Sequence, residues 1–140
     1  MKRRYFLKSA LASSLCAPFG LAAANNPVPA SRRGFHLPAG QDRHDQPMRL
    51  GGITPTDTKI SATDSQGSIY LFEHRQMGRN GPPRHFHHAQ DEFFFVIEGK
   101  FLFEVGDERF ELGTGDTIFL PRQVPHVWAH VGRTPGTILG

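Results

Sequence analysis

The chain has 140 residues, 16 of them Lys or Arg and 13 Asp or Glu, for a formal charge of +3. Four of the basic residues, Lys2, Arg3, Arg4 and Lys8, fall within the first 24, so the 116 residues that follow carry 12 basic side chains against 13 acidic. That balance gives no electrostatic reason to expect nucleic acid or an anionic membrane as a partner, and the lone cysteine, Cys16, excludes an internal disulfide.

The opening, MKRRYFLKSALASSLCAPFGLAAANN, runs from a basic start through an apolar stretch to Ala22-Ala23-Ala24. That order predicts a secretory signal peptide over residues 1–24, its apolar part too short for a membrane span. Arg3-Arg4 followed by Phe6-Leu7-Lys8 resembles the twin-arginine export signal, which implies a periplasmic or secreted protein exported folded. The plainer alternative is a general secretory signal with an accidental arginine pair. Leu15 before Cys16 makes a poor lipoprotein box, so no lipid anchor is expected. Residues 25–47 are rich in Pro, Gly and polar side chains and read as a flexible linker.

From residue 48 to 140 the chain reads as one domain of short strands. KISATDSQG ends in a turn, SIYLFEHR follows, and MGRNGPP interrupts. EFFFVIEGKFLFEVGDERFELGTGDTIFLP then gives several strands, reversing at Gly99-Lys100, Gly106-Asp107 and Gly113-Thr114-Gly115. No stretch keeps a helical period, so the fold class is all-β, an antiparallel sandwich or small barrel.

The candidate chemistry lies in RHFHHAQDEFFFV and in GDTIFLPRQVPHVWAH. On an extended chain His85 and His87 face one way, with Phe86 and His88 opposite. Glu92 follows five positions after His87, enough chain to turn and face the same interior, with Phe94 and Val96 next on its face. A carboxylate heading an apolar strand is costly if buried alone, and a bound cation offsets that cost. In the second stretch His126, Trp128 and His130 share a face. Three imidazoles and one carboxylate, without thiolate, form a plausible set for one divalent transition metal, Mn, Fe, Co, Ni, Cu or Zn, with coordination positions left open. The plain alternative is a cluster of packed histidines without metal.

These two stretches resemble the paired motifs of the cupin superfamily, small jelly-roll β-barrels. In the first motif His85, His87, Glu92 and Gly99 stand at the expected spacings, with Gly78 one position early, where Arg79 would have to be glycine. In the second, Gly115, Pro121 and His126 match, while Gln123 replaces a glycine and His130 an asparagine. The resemblance covers roughly residues 48–140 and implies that His85, His87, Glu92 and His126 are metal ligands. Gln123 would carry the backbone strain that glycine avoids, unless the turn is rearranged.

His130 has a bland reading, at a solvent edge or behind the ligands, and a sharper one, a general base near the metal beside Glu92. His88 reads as a surface residue, His36 and His44 need no role in the linker, and His74 reads as structural or exposed. Phe94, Phe101, Phe103, Phe119 and Trp128 are mostly core, though Phe94, Phe101 and Trp128 are candidates for a substrate pocket. The stretch from Ser61 to Trp128 looks like the quercetin-dioxygenase-like cupins, implying a metal-dependent dioxygenase acting on a small, aromatic molecule. A periplasmic small-molecule or metal-binding module without turnover, and a sugar isomerase or epimerase, are the alternatives. The closing GTILG reads as the start of a strand cut short, so either the barrel is shortened at this end or an edge is left open, and an open edge invites a homodimer. Imidazole ligation also implies that metal affinity falls below about pH 6.

Overall fold

The computed structural model describes residues 33–51 and 54–140. The expected signal peptide, residues 1–24, and the first part of the linker lie outside the described residues. Nine strands follow in order: β1 (Met48–Leu50), β2 (Thr54–Ile60), β3 (Leu71–Met77), β4 (Glu92–Glu98), β5 (Phe101–Val105), β6 (Glu108–Leu112), β7 (Thr117–Leu120), β8 (His126–His130) and β9 (Gly136–Leu139).

They form two antiparallel sheets, one in the order β1-β2-β3-β9-β4-β7 and the other β6-β5-β8. Alternation decides what lies between the sheets. In β4 Phe94 and Val96 are fully buried while Phe93, Phe95 and Ile97 are exposed, and β5 buries Phe101 and Phe103. Phe94 of the larger sheet meets Phe103 and Trp128 of the smaller one, ring centroids 5.4 and 5.0 Å apart. Burying each such ring contributes on the order of 1.5–3 kcal/mol. The result is the expected all-β jelly roll with a single core.

The three predicted reversals do different jobs. Gly106-Asp107 closes a two-residue hairpin, since Val105 pairs with Glu108, and Gly106 has φ 58, a value glycine takes without strain. Gly99-Lys100 and residues 113–116 instead carry the chain between sheets, because β4 and β5, and β6 and β7, belong to different ones.

Two expectations are corrected. GTILG is not an open edge: β9 lies inside the larger sheet, paired with β3 on one side and β4 on the other. Local sequence shows a strand but not its neighbours, and Ile138, fully buried, is what the interior position requires. Residues 33–47 form no strand, yet part of this supposed linker is tied to the barrel. The Asp42 carboxylate accepts the backbone N–H groups of His44, Gln46 and Thr58 at 2.8, 3.0 and 2.7 Å. Burial alone would raise its pKa, but these donors outweigh burial and hold it below the usual carboxylate range. Arg43 adds an ion pair to Asp64 at 2.8 Å.

Candidate metal centre

At one end of the barrel the side chains of His85, His87, Glu92 and His126 converge, their ligand atoms all within 4.8 Å of one another. Glu92 opens β4 in the larger sheet and His126 opens β8 in the smaller, so the cluster spans the two layers. Glu92 Oε2 stands 3.5 Å from His87 Nε2 and 3.4 Å from His126 Nε2.

Three backbone and side-chain ties hold the segment carrying His85 and His87 against the rest. Residues 80–85 run antiparallel to β8: His130 N–H donates to the Asn80 carbonyl at 3.0 Å, and His85 and His126 exchange N–H···O bonds at 2.9 and 2.8 Å. Gln123 N–H donates to the His87 carbonyl at 2.7 Å. Arg122 grips Asp91, the neighbour of Glu92, with its backbone N–H at 2.9 Å and its guanidinium at 3.0 and 2.6 Å. That guanidinium lowers the Asp91 pKa to about 2.

The ring orientations suit ligation. His85 Nδ1 lies 2.8 Å from the Pro83 carbonyl and His126 Nδ1 lies 3.0 Å from that of Val124. A carbonyl only accepts, so in each ring Nδ1 carries the hydrogen and Nε2 is left with a free lone pair. His87 Nε2, Glu92 Oε2 and His126 Nε2 are buried and have no hydrogen-bond partner. Burial pushes the Glu92 pKa up against the opposing pull of His87 and His85. It pushes that of His126 down, only partly countered by the bond to Val124. Buried lone pairs that face one point and lack protein donors are what a cation satisfies, so the residues present fit a divalent metal.

Residues 71–139 match the family described as the cupin domain. Over that stretch, just under half of its length, the chain is similar to that domain. The chain is 36% identical over 55 residues to an uncharacterised protein of Methanocaldococcus jannaschii, a match covering 39% of this chain and 44% of that one. It thus spans less than half the length of the curated relatives it matches. Among solved structures, a predicted oxalate decarboxylase from Thermotoga maritima superposes with a TM-score of 0.61 at 15% identity, over 66% of this chain and 87% of that one. The crystal structure of Fe(II) HppE superposes with a TM-score of 0.60 at 20% identity, over 76% of this chain and 58% of that one. At these identities the likeness is one of fold.

A cavity of about 350 Å³ enters the barrel beside the cluster, walled by Tyr70, Phe72, Phe94 and Trp128 and reaching Glu92. Phe94 and Trp128, two of the three pocket candidates, line this cavity. Phe101 does not line it: its ring packs on His130 and Trp128, with centroids 5.1 and 6.2 Å apart. Phe119 is 62% exposed, because Ile118 and Leu120 take the inward positions of β7.

His130 lies four residues beyond His126 on the same inward face of β8, about 13 Å along the strand. The structure does not bring it to the cluster, so it cannot act there as a base beside Glu92. It is neither solvent-edge nor behind the ligands, being 2% exposed at the far end of β8.

His74 is the residue the sequence reading undervalued. It is buried, lines the cavity and holds Nδ1 2.7 Å from Thr56 Oγ1. Burial lowers its pKa to about 4, so the ring is neutral at pH 7. The available signal was its period-two relation to Phe72, whose ring packs on it with centroids 4.8 Å apart. His88 is exposed, as expected, and so are His36 and His44.

Proposed function

We propose that this cupin is a mononuclear metal-dependent oxidoreductase, a dioxygenase acting on a small aromatic molecule. The observation that carries the reading is the juxtaposition of unpartnered ligand atoms at Glu92, His87 and His126 with an aromatic-walled cavity that reaches Glu92. A divalent Mn, Fe, Ni, Cu or Zn ion held by His85, His87, Glu92 and His126 would supply Lewis acidity and, for the redox-active metals, a route for electrons between substrate and O₂.

The chain's own residues supply the rest. Tyr70, Phe72, Phe94 and Trp128 offer flat apolar contact to a planar substrate. Glu92, desolvated and so more basic than an exposed carboxylate, is positioned to accept a proton from a substrate hydroxyl at Oε2. His74, neutral and oriented by Thr56, gives the cavity a polar group away from the cluster. The Fe(II) form of HppE is in keeping with metal-dependent chemistry on this fold, whereas the predicted oxalate decarboxylase represents another reaction, so the reading rests on the cavity rather than on the fold.

Export through the twin-arginine route to the periplasm or beyond belongs to the same proposal, supported by Arg3-Arg4 and Phe6-Leu7-Lys8. Folding before export lets the metal be chosen in the cytoplasm, where availability rather than affinity selects it. A homodimer is proposed as well, supported by Phe93, Phe95, Ile97 and Phe119, which stand exposed on β4 and the adjoining edge strand β7.

The test loads the protein with each metal in turn and measures O₂ uptake with flavonols and catechols. Uptake with a cleaved product is expected from at least one metal. Tight binding with the compound recovered unchanged and no O₂ consumed would make the protein a binding module instead.

A further inference from the structure

We propose that the barrel carries a second ligand site, for a small oxyanion, at the opposite end from the histidine–glutamate cluster and formed by His130, Arg79 and Arg133. His130 is 2% exposed, and both its ring nitrogens are buried without a hydrogen-bond partner. An imidazole always presents at least one N–H, so a ring in this state has a donor with nowhere to send its hydrogen.

The surroundings are shaped around that ring. A Cβ built on Gly99, Gly132 or Gly136 would lie 3.1, 2.7 or 2.8 Å from His130 Nε2. The ring thus occupies room that exists only because three neighbouring positions have no side chain. A position that merely filled the core would be served by an apolar residue, which leaves no donor stranded.

His130 also lines a cavity of about 380 Å³ bordered by Met77, Arg79, Arg133 and Thr134. Arg79 donates one hydrogen bond, from Nη2 to the Val131 carbonyl at 3.3 Å, and neither arginine forms a carboxylate pair among the described residues. Two guanidinium groups at the mouth repel a cation and favour an anion. An oxyanion takes charge-assisted bonds from both forks and, at its inner end, the stranded imidazole hydrogen. Because the ring nitrogens are covered, entry needs a small displacement of residues 132–135, of which 133–135 are exposed.

The test uses the zinc-loaded full chain with ¹⁵N-labelled histidine, titrated separately with inorganic phosphate and with acetate and followed by the ring resonances. Saturable movement of the His130 signals is expected with at least one of the two anions. Arg133→Ala should weaken that binding about tenfold, the size of one charge-assisted hydrogen bond, and Arg79→Ala/Arg133→Ala should abolish it. Both arginines are exposed, so the variants should fold. His87→Ala, at the metal cluster, should leave it unchanged. Anion binding lost in His87→Ala but kept in the arginine variants would place the anion on the metal and overturn the proposal, as would His130 signals that respond to neither anion.

Discussion

His85 and His126, 41 positions apart in sequence, hydrogen-bond each other's main chain in both directions, at 2.9 and 2.8 Å. The bond pair fixes two imidazoles from the two motifs side by side, ring centroids 4.5 Å apart. Cluster geometry is therefore set by backbone pairing along β8 as much as by the side chains themselves.

Gly81 makes that pairing possible. A Cβ there would lie 1.8 Å from the Trp128 carbonyl oxygen and 2.9 Å from Ala129 Cα, all unyielding backbone. Gly81→Ala should destabilise the fold by about 1–3 kcal/mol. It should also weaken metal binding by about tenfold or more, because the segment carrying His85 must lift away. Gly78→Ala, with nothing within 4 Å, is the control and should be near neutral. Urea denaturation and metal titration of the two variants check this.

Gln123 stands at φ 64, confirming that it takes the strained backbone where the family's pattern has glycine. A left-handed conformation costs an L-residue about 1–2 kcal/mol, and glycine returns part of that through greater freedom when unfolded. Gln123→Gly should then stabilise by roughly 0.5–1 kcal/mol. Its bond to the His87 carbonyl is made by the backbone and survives, so metal affinity should not fall. Thermal unfolding with and without metal measures both.

The period-two pattern of EFFFVIE told which side of β4 is buried, and the resemblance to the paired cupin motifs implied that His85, His87, Glu92 and His126 meet. Parity could not tell distance: His130 has the same face as His126 but lies at the far end of β8, in other company. Nor could local sequence place β9 between β3 and β4, since that depends on closure of the whole sheet. His74 stayed open between structural and exposed because one histidine in LFEHRQM is polar by type and buried only through the packing of Phe72 and Trp128 around it.

His74 gives a pH prediction. Its folded pKa of about 4 lies below the ordinary 6.5, so the unfolded chain takes up a proton first as pH falls. The histidine contributes nothing above pH 6.5 and removes stability between 6.5 and 4, about 2 kcal/mol of it by pH 5. His74→Phe keeps the ring packing and abolishes this loss, leaving the Thr56 hydroxyl its bond to the Thr54 carbonyl at 3.2 Å. The difference between the two proteins in urea midpoint at pH 7 and pH 5 reads it directly. Equal acid sensitivity would show that His74 titrates normally.

Phe119 tests the proposed dimer. It is the most exposed of the four apolar residues on β4 and β7, so a charge there should not disturb the core. If a second copy covers this face, Phe119→Asp converts a dimer to a monomer in sedimentation with metal content unchanged. A wild type that already sediments as a monomer would remove the proposal.

Whether His85, His87, Glu92 and His126 hold one metal ion is read by elemental analysis of the purified protein beside a His126→Ala variant. One equivalent of a divalent transition metal is expected in the wild type and its loss in the variant, with circular dichroism showing that the variant keeps its strands. A folded wild type that takes up no metal, or a variant that retains the full equivalent, would contradict that expectation.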